Sequence, residues 1–314
     1  MDTFVAGMPA MFHWTVLEAR LAGAEADPQV DLLSLVMNLG GRSQRRGLAA
    51  LLEAGRGHPG LSGARSLERW LGEDDAGLEA LRMVWLEWDA PFEGRTPLQL
   101  FAIDPRFWGP KDLLVTPRQQ AEIAARGYEA SFGQAHDPRV IARLEAAIAC
   151  LPRGSMAIFA ASLRPRGKEI DRLFVKIAPQ HVPTWLAQIG WPGDLAAARH
   201  WLGRVIAPWE PAYLQVEVEA SGLTPYLGIE PVQTAGTRSE RRERERLLGG
   251  LVHDGWVDGE KVRALTAWGG TREVELDGEP AREVRSYHLK CVLEPGPGAA
   301  RPVTIKGYLG VHYL

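Results

Sequence analysis

Three lysines fall in segments that alternate apolar and polar residues: Lys176 in RLFVKIA, Lys290 in SYHLKCVLE and Lys306 in VTIKGYL. Each sits on the polar parity of its segment, where Phe174, His288 and Tyr308 also lie, and Tyr213 and Gln215 take the same parity in YLQVEVEA. Trp85 and Glu87 share a face of RMVWLEWDA, and Ser162 and Arg164 share one in MAIFAASLR. Ammonium groups spread over several strands can hold a multiply charged anion at its oxygens. Aromatic faces can shelter a cation. A carboxylate such as Glu87 can orient a nucleophile or accept its proton. Singly, each lysine reads as an ordinary solvated surface residue. Three at one parity on different strands point to a shared chamber.

The elements that must position these residues follow from the period. Asp27-Pro28 offers an N-cap and a proline at the first helical position, so VDLLSLVMNL reads as a helix stopped by Gly40-Gly41. RRGLAALLEAG and residues 64–71 read as two more helices. RMVWLEWDA and LQLFAID then read as a hairpin. Helices are expected from Thr116-Pro117 to Gly127 and from Asp137-Pro138 through RVIARLEAAIACL, followed by the hairpin MAIFAASLR/RLFVKIA. PTWLAQIG and a helix from Asp194 to Val205 precede the hairpin YLQVEVEA/YLGIEPV. Helices from Thr237, with Glu240 completing a capping box, and from Asp258 to Trp268 precede the hairpin SYHLKCVLE/VTIKGYLGV.

Residues repeat along with elements. WLEWDAPFEGRTPLQLFAIDP resembles YLQVEVEASGLTPYLGIEP, with Ile103-Asp104-Pro105 answering Ile229-Glu230-Pro231. RLFVKIA resembles VTIKGYL, with Lys176 answering Lys306. The single domain therefore reads as an internal duplication, about residues 80–178 and 210–311, after an N-terminal helical segment.

Antiparallel strands with helices between hairpins allow an open sheet covered on one face, or a closed barrel with helices outside. One strand face is uniformly apolar: Val84, Leu86 and Trp88; Leu173, Val175 and Ile177; Leu214, Val216 and Val218; Leu289, Cys291 and Leu293; Val303, Ile305 and Leu309. That face is expected to meet the helices. An antiparallel sheet commonly turns a polar face to water, but here that face would expose Trp85, Phe174, Tyr213 and Tyr308. The expected fold is α+β: helix–helix–hairpin units around an antiparallel β-barrel with a solvent-filled lumen.

Composition removes several classes. Lys plus Arg number 36 against 39 for Asp plus Glu, a net charge of −3 that leaves no basic excess for nucleic acid. The mixed-sign run RSERRERER fits a solvated helix face. No run of 18 apolar residues offers a membrane span, and no secretory signal is legible at the N-terminus, so a cytoplasmic protein without a membrane partner is expected. The Ala, Gly and Arg content suits a bacterial source with a GC-rich genome. Two cysteines and scattered histidines provide neither a disulfide framework nor a zinc site. No Gly-x-Gly-x-x-Gly follows an expected strand, and Walker and Gly-x-Ser-x-Gly motifs are missing, as is the Asp-Asp-x-x-Asp run of magnesium-binding terpene synthases. Trp185, Trp191, Trp201 and Trp268 fall in expected helices or at their ends and read as core.

By element order and strand lysines, residues 25–312 resemble the aromatic and peptide prenyltransferases of the α-β-β-α barrel type. Members usually have five helix–hairpin units, against four counted here, and the Arg-x-Lys-x-Tyr pattern of some members is missing. The resemblance implies transfer of an isoprenoid from its diphosphate to an aromatic small molecule or a peptide side chain, a step of natural-product biosynthesis. Lys176, Lys290, Lys306 and Tyr308, with Arg164 and Tyr213, would hold the diphosphate. Trp85, Phe174, Gln215 and His288 would line the site, and Glu87 would hold the nucleophilic partner. No cofactor is required on this reading, although Mg²⁺ can accompany the diphosphate. A non-catalytic ligand- or peptide-binding protein, or a cyclase or isomerase in the same barrel, would use the same chamber.

Overall fold

The computed structural model describes residues 14–21, 30–37, 53, 83–89, 97–104, 106, 115–207, 210–231, 238–276, 279–294 and 303–313. Along the chain run β1 (Trp14–Arg20), β2 (Val30–Met37), β3 (Met83–Trp88) and β4 (Leu98–Ala102). Then come α1 (Pro117–Phe132), α2 (Pro138–Ala149), β5 (Met156–Ser162), β6 (Asp171–Ile177), α3 (Val182–Gln188) and α4 (Leu195–Val205). The remainder is β7 (Ala212–Glu219), β8 (Gly222–Pro231), α5 (Arg238–His253), α6 (Gly259–Trp268), β9 (Gly270–Leu276), β10 (Glu279–Leu293) and β11 (Val303–Tyr313).

All strand pairs are antiparallel, in the order β11-β1-β2-β3-β4-β5-β6-β7-β8-β10-β9, and β11 also pairs with β10. The sheet is therefore barrel-like: its pairing returns to its start through ten strands. β10 is long enough to serve two neighbours on one side, β9 along residues 279–285 and β8 along 291–293. Five hairpins (β1–β2, β3–β4, β5–β6, β7–β8 and β10–β11) make up the ring, so they enter and leave it at one common end.

Local chemistry fixes the helix starts. Thr116 and Gln119 form a reciprocal capping box at α1. Asp137, Asp194 and Asp258 accept backbone N–H groups at the starts of α2, α4 and α6. α1 ends at Gly133, whose φ of 65° is the left-handed conformation glycine adopts without strain. Within it Gly127 lies against the Phe101 ring, where a Cβ would come to 2.9 Å.

The apolar strand face meets the helices as expected. Leu173, Val175, Ile177, Leu214, Val216 and Val218 are buried in one continuous core with Val140, Leu144 and Ile148 of α2 and Trp185, Trp201 and Leu202 of α3 and α4. Each fully buried aliphatic side chain there contributes roughly 1.5–3 kcal/mol. The Trp185 indole donates to the Ala147 carbonyl at 3.1 Å, and that of Trp191 to Tyr226 at 3.1 Å. Trp268 is only half-buried, with Arg285 over its ring at 4.6 Å.

Several expectations are corrected. VDLLSLVM is strand β2, paired with β1 and β3. A short apolar run fits either period, and the open edges of β1 and β3 decide it as a strand. The N-terminal segment is thus not purely helical, and β1 was not foreseen. α1 continues five residues past Gly127, β9 is additional, and Gly222 already belongs to β8. In β5, a register shift between Ala157 and Phe159 inserts Ile158 as a bulge. Phe159 and Ala161 consequently share an inner cluster with Trp85 and Phe174, while Ala160 joins the helix-side core. Ser162 is turned to the helix side too, opposite Asp171, which pairs with His136 outside the sheet. Apart from Glu53, which is helical, the expected helices at 45–55 and 64–71 lie outside the described residues, as does Thr237.

Candidate functional site

The inner face of the sheet lines a cavity of about 270 Å³ with two unlike walls. Strands β1 to β6 supply an apolar wall of Val16, Leu33, Trp85, Leu100, Phe159 and Phe174. The Phe159 and Phe174 rings meet edge to face at 6.2 Å. Strands β7, β8, β10 and β11 supply Tyr213, Gln215, Glu230, His288, Lys290 and Tyr308, and Glu87 enters from β3.

The polar wall is a connected network. Glu230 accepts from Gln215, lies 3.6 Å from Lys290 Nζ, and has His288 Nε2 3.4 Å from its other oxygen. Gln215 in turn accepts from the Tyr226 hydroxyl at 3.2 Å. The His288 ring stacks on Tyr308 at 4.4 Å and 9°, and Lys290 Nζ stands 6.0 Å from the Tyr308 centroid. Burial pushes the Glu230 carboxyl up, but Lys290 and His288 more than offset it and hold it below the usual carboxylate range. Burial and Glu230 push the Tyr213 hydroxyl up to about 12, so it stays a donor at neutral pH. Gly228 opens room for this wall: a Cβ there would meet Gln215 at 3.1 Å and Lys290 at 3.2 Å.

Toward the hairpin end lies a layer of ion pairs. Lys306 bonds Glu18, and the Tyr308 hydroxyl also donates to Glu18. Arg172 bonds Glu217 at 2.6 Å and lies over the Tyr226 ring at 4.4 Å. Arg166, from the β5–β6 turn, reaches Glu87 at 2.5 Å and Asp89 at 2.6 and 2.7 Å. Burial pushes Glu87 and Glu18 up, but Arg166 beside Glu87, and Lys306 and Lys290 near Glu18, bring both below their ordinary values.

Among the residues singled out in the sequence, Glu87, Trp85, Phe174, Tyr213, Gln215, His288, Lys290 and Tyr308 line the cavity. Lys290 and Lys306 are direct cross-strand partners, but Lys306 is turned to Glu18. Lys176 is half-buried at the Tyr213 register and is not among the lining residues, so of the three lysines Lys290 alone lines the cavity. Arg164 is not on a strand. The β5 bulge ends the alternation, and Arg164 sits in a 3₁₀ turn bonded to the exposed Glu169.

Glu230, Arg172, Glu18 and Arg166 were missed. Arg172 shares the parity of Phe174 and Lys176, and Glu230 is the repeat partner of Asp104, so both carried a signal. Glu18 lay in an unassigned segment. Arg166 lay in a turn whose partner is 79 residues away.

These carboxylates set an acid limit. A depressed folded pKa contributes stability above the unfolded value and loses it as pH falls through the folded value. For Glu18, Glu87 and Glu230 the unfolded reference is 4.5, so unfolding free energy should be level above about pH 5 and fall below it. Asp171 opposes them: burial raises it above 3.8, and its contribution is lost as pH rises through its folded value. Urea titrations from pH 3 to 7 should show a shallower acid slope in Glu18→Gln than in the wild type. An unchanged slope would remove Glu18 from the acid response.

No protein-family model matches the sequence, and no curated protein matches it.

Proposed function

We propose that this protein transfers a short isoprenoid from its diphosphate to an aromatic or peptide acceptor inside the sheet. The observation that carries the reading is the division of one cavity into an aromatic, apolar wall and a polar strip of Lys290, Tyr213, Tyr308, His288 and Glu230. Lys290 and Tyr213 supply donors for a diphosphate leaving group, and Trp85, Phe159 and Phe174 supply ring faces for the allylic cation. The hairpin β1–β2 supports the family likeness as well, because it brings the hairpins within the ring to five, the usual number of units in that family. In this reading the ring is five repeated units around a solvent-filled lumen, in a cytoplasmic biosynthetic enzyme. Lys290 is the principal diphosphate contact, and Lys176 and Lys306 act from farther off. A volume of about 270 Å³ lies at the small end of ligand pockets, roughly 300–1,000 Å³, and favours the five-carbon donor.

Thermal unfolding with dimethylallyl, geranyl and farnesyl diphosphates, with and without Mg²⁺, tests this. Dimethylallyl diphosphate should stabilise most, by about 2.7 kcal/mol at a hundredfold excess over Kd. Lys290→Ala should lose the effect. Equal stabilisation by the alcohol dimethylallyl would instead favour a non-catalytic binder of neutral ligands. One observation supports that second reading: the lining holds two carboxylates, Glu87 and Glu230, against one ammonium, Lys290.

A further inference from the structure

Two carboxylates reach the cavity, Glu87 on β3 and Glu230 on β8, five strands apart in either direction round the ten-strand ring. Their partners differ in what they can do with a proton. Glu87 is held by Arg166, which Asp89 also binds, and a guanidinium does not release its proton in a protein. A proton arriving on Glu87 has no exit through that partner. Glu230 meets Gln215, Lys290 and His288. Of these three, only imidazole exchanges protons readily near neutral pH. The Tyr308 stack fixes its ring, and His288 lines both the cavity and a recess of about 30 Å³ beneath α5.

We infer that Glu230 is the carboxylate that takes the acceptor's proton, that His288 carries it out of the cavity, and that Glu87 orients the acceptor. This rests on the prenyl-transfer reading. In the step, the allylic carbon–oxygen bond breaks and its electron pair leaves on the diphosphate. The acceptor's nucleophilic atom bonds to the allylic carbon, and its proton moves to a Glu230 oxygen. His288 takes that proton on Nε2 and gives one up from Nδ1 to solvent. Nothing is oxidised or reduced. His288 shares the cavity lining with Glu87, Tyr213, Glu230, Lys290 and Tyr308, and the recess with Tyr287 and, from α5, Arg244.

The experiment gives the full chain dimethylallyl diphosphate with water, N-acetyl-tyrosinamide or N-acetyl-tryptophanamide as acceptor. Glu230→Gln should lower kcat at least about a hundredfold, the scale of a lost general base, with the KM for the diphosphate within about threefold. Glu230→Asp keeps the charge beside Lys290 and should lose about tenfold, which covers a Gln variant that fails to fold. His288→Gln should move the acidic limb of the kcat–pH profile to lower pH, leaving the limb set by Glu230, and keep the thermal shift with dimethylallyl diphosphate. Wild-type kcat in either Glu230 variant, or an unchanged acidic limb in His288→Gln, overturns the inference while prenyl transfer stands. A wild-type protein that forms no product with any acceptor, water included, overturns prenyl transfer and the inference together.

Discussion

Arg166→Met is expected to destabilise the protein by about 3–5 kcal/mol, the scale for breaking a buried ion pair by removing one partner. Arg166 stands between Glu87 and Asp89, whose side chains are 9% and 27% exposed, and is itself 22% exposed. Methionine nearly keeps the volume and leaves both carboxylates without their guanidinium. The protein can limit the loss by protonating Glu87, so the penalty should shrink as pH is lowered. Arg166→Lys keeps one charge but cannot fork to two acceptors, and should fall between the wild type and Met. Glu87→Gln added to Arg166→Met should recover part of the loss, because neighbouring changes couple. Chemical denaturation of the four proteins decides it. A Met variant within about 1 kcal/mol of the wild type would show the pair to be no more than a surface contact.

Glu87→Gln alone should separate turnover from stability. Arg166 remains bonded to Asp89 through Nε and Nη2, and the amide oxygen of glutamine can still accept from the guanidinium. Val84, Leu86 and Trp88 pack on the helix side and are untouched. What is lost is a negative charge at the cavity wall beside Trp85. If that charge orients the acceptor's N–H or O–H, its loss should cost about 2–4 kcal/mol of transition-state stabilisation. The rate would fall about 30- to 1,000-fold. The kcat–pH profile should keep its shape, in contrast to His288→Gln. Product formation and melting temperature measured side by side check this. Normal turnover, or unfolding, would leave Glu87 a structural residue.

What could be read in advance follows physical lines. The helix-facing residues of β3, β6, β7, β10 and β11 were legible because a period of two admits one register once one face is solidly apolar. Leu173, Val175 and Ile177 leave no other choice. The same logic failed in β5, where the extra residue Ile158 changes the face of everything after it, and MAIFAAS carries no residue that marks a bulge. Val30–Met37 misled because Leu32, Leu33, Leu35 and Val36 satisfy either period, and its strand state depends on neighbours far along the chain. The cavity residues on regular strands were found by parity. Arg166 depends on the path of a turn, and Glu18 on recognising β1 at all; no local pattern encodes either.

The pairing of β1 with β11 joins Arg20 to Lys306 and Trp14 to His312, positions 286 and 298 residues apart. Until β11 exists, β1 and β10 each carry a row of unpaired amides and carbonyls, and Glu18 lacks its lysine. During synthesis the ring therefore remains an open sheet with two adhesive borders until its last strand emerges. Contacts of such long sequence separation are closed late and slowly, after the entropy of the intervening loop has been overcome. Among the described residues β9 pairs with β10 alone, and its exposed Arg272, Glu273 and Glu275 are the kind of charges that keep a border from recruiting another chain.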